Sequence, residues 1–403
     1  MQPYHKDLNM QRRDFLKTTI LGTTALSTTN SIYAKTNSPP YRVAIIGHTG
    51  RGNYGHGLDV VWKDIGPARV VAVADPDPKG RAAAAKRTQA HKTYADYHEM
   101  LVREKPHIVS VAPRWLDQHR DMVLACAEHN CHVFLEKPMC QDLAQADEMI
   151  AAMEKRNLKL AIAHQTRYSP ALQNARNLIQ DGLLGDILEF RGRGKEDRRG
   201  GGEDLMVLGT HIMDLMRFFG GDPQWCFATV RQNQKVVTKN EVQNGNEGIG
   251  PLAGDEIHAM YRFGKVSMGY FSTHKTKHGA AKRFGLWIYG SKGILTTSTG
   301  AVPEAYFIDD PSWQPGRSGV KWKHLTSEGI DKPEPLNDPR HHFGNCQIAR
   351  DLIHAIETDV QPKGSMYDGR AALEMILATY ESHRQNASVT LPLKNRQHPL
   401  GLL

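Results

Sequence analysis

Tyr41-Arg42-Val43-Ala44-Ile45-Ile46-Gly47-His48-Thr49-Gly50-Arg51-Gly52 decides the class of fold. An apolar run of strand length ends on a glycine, and glycines recur at 50 and 52. The run lacks the polar alternation of a half-solvated strand, so it reads as a strand covered on both faces. The same pattern returns at 70–74 before Asp75, 108–112 before Pro113, 133–135 before Glu136-Lys137-Pro138, and 160–163. Amphipathic segments near 80–90, 96–103, 117–129 and 142–157 lie between these runs. Strands alternating with helices predict a doubly wound parallel sheet with helices on both faces.

The turn after the first strand gives that sheet a use. Glycines there let backbone N–H groups approach a pyrophosphate at a helix N-terminus. The spacing is GxxGxG rather than GxGxxG, because Thr49 stands at the middle glycine position. Asp75 closes the second strand 28 residues after Gly47. A carboxylate at that point accepts hydrogen bonds from adenosine ribose hydroxyls and repels a 2′-phosphate. Gly47, Thr49, Gly50, Arg51, Gly52 and Asp75 are therefore assigned to a dinucleotide, NAD rather than NADP. Arg51 or Arg81 would soften that preference, which leaves NADP possible.

The chain has 403 residues, 40% of them apolar and 23% charged, which fits two globular domains. No window reaches 18 consecutive apolar residues, so no membrane-spanning helix is expected in the mature form. The formal charge of +8 is spread along the chain instead of forming a basic stripe, so no nucleic-acid partner is expected. Cys126, Cys131, Cys140, Cys226 and Cys346 form no CxxC pair and read as structural thiols; no metal site is expected. Gln11-Arg12-Arg13-Asp14-Phe15-Leu16-Lys17, followed by an uncharged stretch to Ala34, has the form of a twin-arginine export signal. It predicts contact with that export machinery, a periplasmic or otherwise exported destination, and a mature protein that carries its cofactor.

Several spaced motifs in order resemble the Gfo/Idh/MocA family. They are Tyr94-Ala95-Asp96-Tyr97-His98-Glu99-Met100-Leu101, Pro113 with His119 six residues on, and His132-Val133-Phe134-Leu135-Glu136-Lys137-Pro138. Further matches are Arg167-Tyr168-Ser169-Pro170, Gly209-Thr210-His211-Ile212-Met213-Asp214, Tyr380-Glu381-Ser382 and Val389-Thr390-Leu391-Pro392-Leu393. The resemblance implies a Rossmann domain, placed at 40–163, and a substrate-binding and oligomerisation domain at 164–403. The second would be an α/β domain with a large open, mostly antiparallel sheet whose exposed face commonly mediates homodimers or homotetramers. The residues agree: Ile257, Ala259, Tyr261 and Phe263 alternate, turns stand at 264–265 and 290–293, and helices are predicted at 204–219, 340–357 and 367–386.

The resemblance also places the chemistry. Lys137 would stabilise the oxygen of a substrate CH–OH as hydride leaves, and His211 would take the hydroxyl proton. Pro113, His119 and Glu136 join the cofactor side. Arg167, Tyr168 and Asp214 fall on the substrate side, with His164 and Gln165 beside them. Family members carry aspartate four residues before this histidine, where this chain has Val207. Asp204, seven residues before His211, would share its helical face about 10 Å away and is the candidate substitute acid or base. Helix capping is its competing role. The charged run 191–199 is either a solvated loop or a segment reaching over the cleft. Arg340-His341-His342 is discounted as a chelate, since adjacent side chains diverge. The resulting reading is an exported NAD-dependent oxidoreductase acting on a sugar, polyol or glycoside. A redox-neutral glycosidase or lyase working through a 3-keto intermediate, and a non-catalytic sugar-binding protein, are the alternatives.

Overall fold

The computed structural model describes residues 41–276 and 283–403. The twin-arginine motif lies outside the described residues. The first sheet contains β1 (Tyr41–Ile46), β2 (Ala68–Ala74), β3 (Lys92–Tyr94), β4 (Ile108–Val111), β5 (His132–Leu135) and β6 (Leu160–Ile162). Its order is β3-β2-β1-β4-β5-β6, all parallel. The order reverses between β1 and β4, which opens a crevice at their carboxyl ends. Helices α1 (Pro78–Thr88), α2 (Tyr97–Glu104), α3 (His119–Glu128) and α4 (Leu143–Glu154) supply the crossovers. Asp77, Asp96 and Asp142 cap three of them through their side chains. The three-residue β3, with Lys92 and Thr93 exposed, carries no apolar run and gave no strand signal in the sequence.

The glycine-rich turn departs from expectation. No α-helix follows it; the chain runs through turns to a single 3-10 turn at Val61–Asp64. Glycine at 47, 50, 52, 55 and 57 makes helix propagation costly, and the last four of these have positive φ. Gly52 (φ +86°) shows what the glycines do: an added Cβ would lie 2.3 Å from the Arg114 nitrogen. The turn is thereby pressed onto the segment leaving β4.

The second lobe begins with α5 (Pro170–Gln180), β7 (Ile187–Arg193), α6 (Gly202–Val207) and α7 (Gly209–Gly220). Its main strands are β8 (Pro223–Gln232), β9 (Glu256–Phe263), β10 (Ser267–His274), β11 (Gly285–Gly290), β12 (Ile294–Ser298), β13 (Ala305–Ile308) and β14 (Lys323–Thr326). With short flanking strands they make an eleven-stranded sheet, in which β14-β13-β12-β11-β7-β10-β9-β8 are consecutive neighbours. It is antiparallel except for the β7–β10 pair. The alternation in β9 is that expected from sequence: Ile257, Ala259, Tyr261 and Phe263 are buried, and the intervening residues face outward.

Two late helices tie the lobes together. In α8 (His342–Thr358), Ile348, Ala349, Leu352 and Ile353 pack with Val43 and Ile45 of the first sheet and with Val61 and Trp62 of the 3-10 turn. This helix thus covers a sheet face that the missing helix after β1 leaves bare. The long α9 (Met366–Gln385) is buried along most of its length in the core that continues into the second lobe. The five cysteines are all buried and unpaired.

Gly52→Ala is expected to cost about 1–3 kcal/mol, because it combines strained φ with backbone overlap. Denaturant unfolding measures it; an unchanged midpoint would show that the turn does not pack on Arg114.

Candidate active site

The site forms where β5 ends against α7. Successive side chains at the strand end diverge, so Glu136 and Lys137 face different surroundings. Glu136 is completely buried and turns toward the glycine-rich segment. Its carboxylate accepts from the His56 backbone N–H at 3.1 Å and lies 2.9 Å from His56 Nδ1. Burial alone would raise its pKa, but His56 and neighbouring Lys137 outweigh that and bring it down to about 2. Asn345 holds the same histidine from behind, donating to the His56 carbonyl at 2.9 Å.

Lys137 faces the cleft and is 5% exposed. Its Nζ donates to the Val207 carbonyl at 3.0 Å. That carbonyl is available because the expected single helix 204–219 is two helices, broken at Leu208 (φ −114°, ψ −38°). His211 N bonds Leu208 O at 3.0 Å, one residue short of the α-helical partner, which leaves Val207 O for the lysine. Burial lowers the Lys137 pKa from its ordinary value; Glu136 and Glu247 oppose this, while Arg199 and Arg114 add to it.

His211 also lies at the cavity. Its Nδ1 has no hydrogen-bond partner among the described residues. Desolvation, with Lys137 and His164 nearby, pushes its pKa well below the ordinary imidazole value, so the ring is neutral and able to accept a proton. The His164 ring stands 5.5 Å away, edge to face, and its Nε2 meets Thr210 Oγ1 at 3.0 Å. The cavity has a volume of about 250 Å³. Besides Lys137 and His211, its walls include His56, His341, Arg114, Gln165, Thr166, Val207 and Phe284. Lys195, Arg199 and Glu247 complete its rim.

Several sequence assignments need correction. Asp204 does not face His211 along one helix. Its fully buried carboxylate accepts from the backbone N–H groups of Lys195 (3.1 Å) and Glu196 (3.0 Å) and from the Thr273 hydroxyl. Burial raises its pKa in spite of these bonds. It anchors the 194–199 segment and does not line the cleft. Arg167 and Asp214 are not among the residues lining the cavity: the guanidinium grips Asp214 with NH2 at 2.6 Å and Nε at 3.0 Å. Burial alone would raise the Asp214 pKa, but Arg167 outweighs it and holds the carboxyl below the usual range. Tyr168 is likewise internal, donating to Asp351 at 2.9 Å and accepting from Gly364 N at 2.9 Å.

The cofactor side divides as well. A second cavity of about 270 Å³, lined by Gly47, His48, Ala74, Asp75, Tyr97 and Met122 among others, sits at the ends of β1 and β2. Asp75 is in its wall as expected, yet its oxygens already accept from Thr49 N, from Thr49 Oγ1 at 2.7 Å and from Asp77 N. Thr49, standing at a glycine position, supplies the hydroxyl that the sequence reading assigned to ribose. Gly47 and Gly52 are taken up by packing against Tyr54 and the Arg114 backbone; Gly50 (φ +84°) faces open space, with its N–H donated to Asn53 Oδ1 at 3.0 Å. Arg51 pairs with Asp117. His119 is buried: its Nε2 meets the Pro113 carbonyl at 2.7 Å and its Nδ1 those of Pro138 and Met139, so it positions the two loops that flank the crevice.

The sequence reading missed His56, His341, Arg114 and Glu247. Gly55-His56-Gly57 carried the signal of a histidine in a tight loop. His341 and His342 do point apart, as adjacency requires: His341 stacks edge-on to His56 with ring centres 5.8 Å apart, and His342 meets Asp64 at 2.6 Å. Of the charged run 191–199, Lys195 and Arg199 reach the cleft.

Comparison with known proteins agrees with this layout. The Oxidoreductase family, NAD-binding Rossmann fold (GFO_IDH_MocA) matches residues 41–164, and the Oxidoreductase family, C-terminal alpha/beta domain matches residues 176–391. The chain belongs to the Gfo/Idh/MocA oxidoreductase family. It carries that family's NAD-binding Rossmann domain. Levoglucosan dehydrogenase of Pseudarthrobacter phenanthrenivorans is 25% identical over 81% of this chain and 90% of its own length. Myo-inositol 2-dehydrogenase of Thermotoga maritima is 22% identical over 86% of this chain and 98% of its own. A solved levoglucosan dehydrogenase in complex with NADH and levoglucosan superposes with a TM-score of 0.71 and 22% identity, covering 88% of this chain and all of that one.

Asp204→Asn replaces an acceptor with a donor facing two N–H groups. It is expected to cost about 1–3 kcal/mol of stability and to raise KM more than it lowers kcat. Undiminished stability with kcat abolished would restore Asp204 as the acid or base.

Proposed function

We propose that the protein oxidises a CH–OH group of a carbohydrate or polyol. The observation that carries this reading is the pairing of a buried lysine ammonium with an unpartnered neutral histidine in one cavity, beside the crevice of an NAD-binding sheet. NAD supplies the two-electron hydride acceptor. Lys137 donates a hydrogen bond to the substrate oxygen and stabilises negative charge as it develops there. His211 accepts the hydroxyl proton, which suits a ring kept neutral by burial. The Val207 carbonyl fixes the lysine, and Glu136 with His56 fixes the strand end behind it. Relatives named as dehydrogenases of levoglucosan, D-apiose and myo-inositol support a sugar or polyol as substrate.

The same proposal includes export by the twin-arginine route, supported by the 11–17 motif and the uncharged stretch after it. It includes a homo-oligomer. Across the outer sheet face, Phe227, Met260, Tyr270, Arg191 and Trp287 stand opposite one another on neighbouring strands, with Phe227 and Trp287 exposed. A row of aromatic and apolar side chains interrupted only by Arg191, on an open sheet, suits a second copy.

With levoglucosan, myo-inositol and aryl glucosides as test substrates, nicotinamide absorbance should report NADH formation. Lys137→Met should lower kcat by about 10²–10³, and His211→Ala by about 10²–10⁴. The profile of kcat/KM against pH should be bell-shaped. Its acid limb lies below the ordinary imidazole value, as His211 protonates. Its alkaline limb lies below the ordinary lysine value, as Lys137 loses its proton. Release of aglycone without net NADH would replace this reading with the redox-neutral one.

A further inference from the structure

The cleft carries more positive charge than alcohol oxidation requires. Lys137 alone suffices for a developing alkoxide, yet Arg114, Lys195 and Arg199 line the same cavity. Glu247 is the one carboxylate among the described lining residues, 3.6 Å from Arg114. Asp197 stands behind the rim, where it takes Arg199 at 2.7 Å and Lys195 at 3.7 Å. Four cations therefore line the cavity with one carboxylate, while Asp197, Glu136 behind Lys137, and Glu203 and Asp204 near Arg199 lie outside the lining. His211 and His341 add nothing to this excess, since desolvation pushes both toward the neutral form. Arg114 and Lys195 keep 40% and 48% of their side-chain surface, so their charges remain accessible from the cavity.

The excess is built in. The 194–199 segment that carries Lys195 and Arg199 is held by the buried Asp204 carboxylate through two backbone N–H groups. Arg114 stands in the segment that leaves β4 and packs on Gly52. The lysine already feels both arginines as like charges. Lys195 and Arg199 stand away from the adenosine end, since the cavity at the ends of β1 and β2 shares no lining residue with this one.

Resting on the dehydrogenase reading above, we infer that the substrate is an acidic sugar, a carboxylate- or phosphate-bearing ring whose anion sits between Arg114, Lys195 and Arg199 while its hydroxyl meets Lys137 and His211. The neutral sugars would lack the group that three of the four cations recognise.

The test is calorimetric binding to NADH-loaded protein at fixed ionic strength, with turnover measured separately. The probes are D-glucuronate, D-galacturonate, glucose 6-phosphate, and the parent hexoses. At least one acid should bind tenfold or more tightly than its parent hexose, with affinity that falls as salt rises. Carboxylate and phosphate arms then distinguish the two sources of the anion. Lys195→Gln, at a half-exposed position that folding tolerates, should shrink the acid-to-hexose ratio several-fold; Arg199→Gln should shrink it further. Acids binding no better than hexoses would overturn the inference. An acid that binds tightly, is salt-sensitive and yields no NADH would sustain the anion site and overturn the dehydrogenase reading. Hexoses oxidised with no preference for acids would do the reverse.

Discussion

The ammonium of Lys137, nearly excluded from water, has to be held by something, and the carbonyl of Val207 holds it. A buried cation without a partner would shed its proton or unfold its surroundings. The partner is a main-chain oxygen that becomes available only because the helix 202–220 breaks at Leu208. A side-chain anion at 207 would neutralise the lysine; a carbonyl orients it and leaves the charge. The site therefore combines a loss, the aspartate expected at this position, with a gain of net positive field. Both follow from the placement of one residue.

Around that contact the two lobes are joined rather than hinged apart. α8 fills the sheet face left by the absent helix after β1, and α9 runs through the core common to both lobes. Glu136 extends the link from the other side, since the carboxylate next to Lys137 in the chain also pins His56 of the glycine-rich turn. A shift in that turn would thus be felt at the lysine. Arg167, gripping Asp214 within the wall, adds a rigid backing to α7 and so to His211.

Much of this was legible in the sequence. The buried strands were visible because a strand covered on both faces is apolar throughout, and 43–46, 70–74 and 133–135 are. β3 was invisible because it is three residues long and half solvated. The break at Leu208 was invisible because the apolar period runs through it unaltered. Lys137 and His211 were found because a resemblance singled out their motifs. Asp204 was placed toward His211 because helical spacing was extended across a break, and the Arg167–Asp214 ion pair was not foreseen because a motif position does not say which way a side chain is engaged. His56, His341 and Glu247 reach the cleft from three distant parts of the chain, and no local pattern encodes such a meeting.

If Lys137 stabilises the oxygen on the carbon that gives or takes hydride, its loss slows transfer in both directions. Mass spectrometry of the reverse reaction tests it most directly. Protein supplied with NADH carrying deuterium at the transferred position would be offered keto derivatives of neutral and acidic sugars. The account predicts one deuterium on the sugar carbon with the natural protein and transfer slowed at least a hundredfold in Lys137→Met. Equal transfer by the variant, or no label moved by the natural protein to any of these sugars, would contradict it.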